Sequence, residues 1–123
     1  MLVYMNKLFR ECFAARKSLA EKLKLVYSDN MQDWEYEVSD PDRIVDFINE
    51  YKKTDTNNAE KISLMEIMLD SLNTTLYTNG GFKKMNQNNK EIISLLKSNK
   101  SLHSTTLEYW QNGWPISILL KDI

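Results

Sequence analysis

The sequence predicts an all-α fold, one compact domain over residues 1–123 built as a bundle of about five helices. Three observations carry this expectation. Only 3 Gly and 2 Pro are available for turns, so the elements must be few and long. Apolar residues recur at three- and four-residue steps through most of the chain. Helix-capping patterns fall where those periodic stretches begin.

The first helix is expected from about Met5 to Tyr27, with Met5, Leu8, Phe9, Cys12, Ala15, Leu19, Leu23 and Val26 on its apolar stripe. Ser28 to Val38 loses that period. There Asp33-Trp34-Glu35-Tyr36-Glu37 alternates, which reads as an ordered loop or a short strand. Ser39-Asp40-Pro41-Asp42 then opens a second helix reaching about Lys52: Ser39 can cap, Pro41 suits the first turn, and acids suit the positive end of the helix dipole. Asn57-Asn58-Ala59-Glu60 repeats the capping pattern and opens a third helix to about Leu76. Its stripe of Ile62, Met65, Leu69, Leu72 and Leu76 is widened by Leu64, Ile67 and Met68. Only Ser63, Glu66, Asp70 and Asn73 make a narrow polar strip, which places this helix at the centre of the fold.

Asn79-Gly80-Gly81 accepts positive φ and reads as a helix end. The rival is one short hairpin with Thr74–Thr78 and Phe82–Met85 as its arms. A fourth helix runs from about Asn89 to Asn99. Thr105-Thr106-Leu107-Glu108 resembles a capping box for a short helix ending near Gly113, and Trp114-Pro115 starts a last turn or two through Leu120. Tyr109, Trp110 and Trp114 sit beside this terminal apolar run and are expected in the core.

Chemistry finds little material. Cys12 is the sole cysteine, so no intrachain disulfide forms, and a cytoplasmic protein is expected. No apolar run has signal-peptide length or the roughly 18 residues of a membrane span. His103 is the only histidine, and with Cys12 it falls short of the ligands a structural zinc needs. Cys12 is expected on the buried stripe, where a thiol behaves as a small hydrophobe. Asn79-Gly80-Gly81 matches no phosphate-binding loop, and Glu66 with Asp70 reads as two solvated acids. No enzyme activity, cofactor or metal is expected.

Charge is distributed unevenly. Residues 1–28 carry six basic and two acidic side chains, whereas residues 29–50 carry eight acids against Arg43 alone. Asp42, Asp46 and Glu50 recur every four residues, with Ile44, Phe47, Ile48 and Tyr51 opposite, so the three acids are expected to face outward in mutual repulsion. Asp33, Glu35 and Glu37 precede them, interleaved with Trp34 and Tyr36 as candidate anchors. Acids with embedded aromatics suit a basic protein partner. A small regulatory or adaptor protein is the rival reading, with the basic face of the first helix as its nucleic-acid contact; the pI of about 5.8 argues against nucleic acid.

A second pattern lies in the other half. Glu60-Lys61-Ile62-Ser63-Leu64-Met65-Glu66-Ile67, then Tyr109-Trp110 and Trp114-Pro115-Ile116-Ser117-Ile118-Leu119-Leu120, resembles bacterial immunity proteins of the contact-dependent growth inhibition and polymorphic-toxin type. The resemblance spans about residues 57–123. It implies a small cytoplasmic protein that covers the active site of a toxin domain, often a nuclease with a basic cleft. Immunity proteins share no single set of contact residues, so the eight candidates, Asp33, Trp34, Glu35, Tyr36, Glu37, Asp42, Asp46 and Glu50, come from charge placement alone.

Overall fold

The structure, a computed structural model, describes residues 2–78 and 87–123, with side chains described for residues 11–76 and 87–123. All regular structure among these residues is helical, with five helices of seven residues or more. The chain forms α1 (Leu2–Leu23), α2 (Trp34–Glu37), a 3-10 turn (Pro41–Arg43), α3 (Ile44–Tyr51), α4 (Asn58–Thr78), α5 (Gln87–Ser98), α6 (Ser104–Trp110) and α7 (Ser117–Leu120).

Helix α4 is the hub: α1, α2, the 3-10 turn, α3, α5 and α6 all pack on it. Its sequence explains this, since apolar residues surround most of its circumference. Leu64, Met65, Ile67, Met68, Leu69 and Leu72 are all buried, and they meet Leu19, Phe47, Ile92, Leu96 and Ile116 from the surrounding helices. Leu69→Ala removes packing that no neighbour can collapse to replace, and a loss of roughly 2 to 5 kcal/mol is expected in urea unfolding.

Where helices begin, side chains decide. The Asn57 Oδ1 accepts from the Glu60 backbone N–H at 2.9 Å and the Glu60 Oε1 accepts from the Asn57 N–H at 3.0 Å, the reciprocal box read from the sequence. The second helix starts differently. Asp40 caps by accepting from the Asp42 N–H, while the Ser39 hydroxyl is taken by Asp70, so the chain makes a 3-10 turn before α3. The Thr105 box is not used: α6 starts at Ser104, and Thr105 lies inside its first turn. α1 ends at Leu23, four residues early, on Lys24 with φ +56°, and the Leu25 N–H reaches back to the Ala20 carbonyl.

The segment read as loop or strand contains the single turn α2. Trp34 drives it inward, fully buried, with its indole N–H donating to the Val26 carbonyl at 2.7 Å. Thr74–Thr78, the first arm of the alternative hairpin, is the end of α4. Asn79-Gly80-Gly81 and Phe82–Met85 lie outside the described residues.

Candidate functional site

The eight acidic-segment candidates divide by burial. Asp33, Glu37, Asp42 and Asp46 are exposed and Tyr36 is partly buried. Trp34, Glu35 and Glu50 are not surface residues, which corrects the expectation for all three. Glu35 is 5% exposed and accepts a two-pronged contact from Arg16, at 2.9 Å from Nε and 2.8 Å from Nη2, plus the Ser63 hydroxyl at 2.9 Å. Glu50, 2% exposed, is held by the Lys53 ammonium at 2.9 Å.

The reason is nearby cations: Arg16 on α1 takes Glu35, and Lys53, just after α3, takes Glu50. Of the three helix acids, Asp42 and Asp46 do face outward and only Glu50 is buried. Arg43 binds Asp46 at 3.0 Å and Lys53 binds Glu50 beside a hollow of about 290 Å³ that Lys22, bound to Glu60 at 3.1 Å, also lines. The same pairing consumes cations of the first helix, since Arg16 and Lys22 both face inward to carboxylates. The Glu50 Oε2 is buried without a hydrogen-bond partner among the described residues, a cost the Lys53 contact only partly offsets.

The unexpected surface lies at the other end of the acidic segment. Tyr109 is 48% and Trp114 39% exposed, so only Trp110 of the three C-terminal aromatics takes the core position expected for all. Asn112-Gly113 turns the chain there, with Gly113 at φ +87°, which carries Trp114 to a corner of the molecule. Its indole N–H donates to the Tyr109 carbonyl at 3.1 Å, and its backbone N–H donates to the Ser117 hydroxyl, which in turn donates to the Trp110 carbonyl at 2.7 Å. The corner is therefore fixed. Tyr36 stacks on Tyr109 with centroids 6.4 Å apart, Tyr109 meets Trp114 at 5.4 Å, and Trp110 supports Tyr36, Tyr109 and Trp114 from beneath. The result is a ledge of three rings joined by α2, α6 and the turn after it.

Acids border this ledge. Glu37 and Glu108 are exposed beside Tyr36 and Tyr109 in the chain. Burial raises the Tyr36 phenol, and the charges of Glu66, Asp70 and Glu35 and the neighbouring Tyr109 raise it further. The polar strip of α4 is thus a seam and not a solvated face. Ser63 donates to Glu35, Asp70 accepts from Ser39, and the Asn73 Oδ1 accepts from the Ile116 N–H at 3.0 Å. Glu66 alone has no hydrogen-bond or ion-pair partner among the described residues.

No family model, no curated protein and no solved structure matches the chain.

Cys12 and His103, the sole cysteine and the sole histidine, are placed apart. Cys12 is exposed on α1, contrary to its expected place on the buried stripe, because the buried line of that helix runs through Ala15, Leu19 and Leu23. His103 is fully buried with Nε2 2.7 Å from the Tyr51 hydroxyl. Burial lowers its pKa to about 4, helped by Lys61, so the ring stays neutral at ordinary pH. Among the described residues, no group of three His, Cys, Asp or Glu could hold a metal ion, and no helix is long and apolar enough to cross a membrane.

Proposed function

We propose that this protein is a stoichiometric inhibitor that binds a basic protein domain, an immunity protein whose target is a toxin, most simply a nuclease. The ledge of Tyr36, Tyr109 and Trp114 with its acidic border carries the reading. Large rings that are already held in place give contact area at little entropic cost, and Tyr and Trp dominate the energetics of protein interfaces. Carboxylates around them favour a cationic partner and oppose nucleic acid. The resemblance of residues 57–123 to immunity proteins points to the same kind of function, though it assigns no contact residue. Asp33, Glu37, Asp42 and Asp46 remain available as flanking charges, whereas Trp34, Glu35 and Glu50 serve the fold.

The test is co-expression with the product of the neighbouring gene, which the immunity reading requires to be a toxic effector domain. Wild-type protein should restore growth and bind that domain in isolation. Tyr109→Ala with Trp114→Ala should weaken binding by about 100-fold or more, corresponding to roughly 3 kcal/mol of hot-spot loss, with little change in the far-ultraviolet circular dichroism. Unchanged affinity in that variant would remove the ledge from the interface, and absence of binding by the wild type would overturn the immunity reading.

A further inference from the structure

On α4, Glu66 lies between Ser63, which holds Glu35, and Asp70, which accepts from the Ser39 hydroxyl beside the Tyr36 carbonyl. Three carboxylates thus line the seam under the turn that carries Tyr36, and two of them are committed. Glu35 is closed off by Arg16 and Ser63, and Asp70 accepts from the Ser39 hydroxyl. Glu66 is only partly exposed, lies near enough to Glu35 to repel it, and has neither a hydrogen bond nor a cation of its own among the described residues. Arg16, the only cation among the described residues that acts on it, spends its guanidinium on Glu35 and on the carbonyls of Met31 and Gln32. A half-desolvated acid left this way is unfavourable in the free protein.

Resting on the ledge as the docking surface, we propose that Glu66 is the acceptor for an arginine side chain of the partner protein, laid across the Tyr36–Tyr109 rings. A guanidinium fits better than an ammonium. It stacks flat on aromatic faces, sheds water more easily, and can give two hydrogen bonds to one carboxylate. The partner's cation supplies what this side of α4 lacks, and Glu66 then fixes where along the ledge the partner sits.

The groups facing Glu66 make the arrangement sensitive to pH. Burial lifts its carboxyl to about 7, Glu35 on α2 adds to the rise, and Arg16 on α1 opposes it; Cys12 and Tyr36 also lie within its field. His103, which ordinarily titrates in the same range, stays neutral. A pH dependence between about 6 and 8 that disappears in Glu66→Gln is therefore a signature of this carboxyl.

The experiment uses the full chain and a blocked peptide of alternating arginine and glycine, followed by tryptophan fluorescence. Wild-type affinity should rise as the pH increases from about 6 to 8, because the acceptor loses its proton. Glu66→Gln should bind about tenfold more weakly near pH 8, and about equally near pH 5.5 where the wild-type group is itself protonated. Its melting temperature near pH 8 should match or exceed wild type, since the substitution removes an uncompensated charge, so weak binding would not reflect a damaged fold. Asp55→Asn, an exposed acid in the turn before α4, sets the loss due to net charge alone. Equal losses in Glu66→Gln and Asp55→Asn would overturn the proposal. If Tyr109→Ala with Trp114→Ala abolishes peptide binding while Glu66→Gln leaves it intact, the ledge stands and Glu66 is not its acceptor. If neither variant changes binding, the ledge falls as well.

Discussion

Arg16→Met is expected to lower folding stability by about 3 to 5 kcal/mol, the cost of leaving one charge of a buried pair without its partner. The Arg16 and Glu35 side chains are 16% and 7% exposed, and their geometry is two-pronged, so solvent screening cannot absorb the loss as it does for surface pairs. The same guanidinium also donates to the Met31 and Gln32 carbonyls, so the loop before α2 loses its anchor together with the pair. Urea unfolding measures the effect: the midpoint should fall with an unchanged slope. Adding Glu35→Leu to Arg16→Met should recover much of the stability, because the orphaned carboxylate is then gone. A single-variant loss below about 1 kcal/mol would mean that the pair behaves as a surface contact.

Trp34→Ala should be comparably severe, at about 3 to 5 kcal/mol. The ring is fully buried, meets Tyr27 edge-on at 6.4 Å, and its indole N–H satisfies the Val26 carbonyl. Trp34→Phe restores apolar contact but not that hydrogen bond and should cost less. The contrast with Trp114 separates the two tryptophans by role: thermal unfolding should register Trp34→Ala strongly and Trp114→Ala weakly, whereas binding should register Trp114→Ala. A partner-binding defect in a stable, well-folded Trp34 variant would contradict this division.

The helical architecture was legible because it rests on local rules. The α4 stripe and its Asn57–Glu60 box depend on residues within one or two turns of each other, and Met65, Leu69 and Leu72 are buried as their spacing implies. The acidic segment was misread where the deciding residues lay far away in the chain. Nothing in the spacing of Glu35 announces that Arg16, 19 residues earlier, will take it inward, or that Ser39 will leave its helix to meet Asp70, whereas the Glu50–Lys53 pair is an i,i+3 contact within reach of a local reading. Tyr109 and Trp114 were assigned to the core on their hydrophobicity. A signal against that was present: Asn112-Gly113 before Trp114-Pro115 is turn chemistry, and a ring at a turn stands at a corner of the molecule.

Glu60 joins events that are usually separable. Its carboxylate closes the first turn of α4 through the Asn57 N–H and also accepts from the Ser18 hydroxyl at 2.9 Å and the Lys22 ammonium at 3.1 Å, both on α1. A helix start normally forms in isolation, at an unfavourable nucleation cost, before tertiary contacts reward it. Here the first turn of α4 is tied to a helix some forty residues earlier, so α4 nucleation and α1 docking reinforce each other. Folding of the hub is thereby coupled to long-range closure of the chain, and the transition state should contain the α1–α4 pair before the C-terminal helices settle.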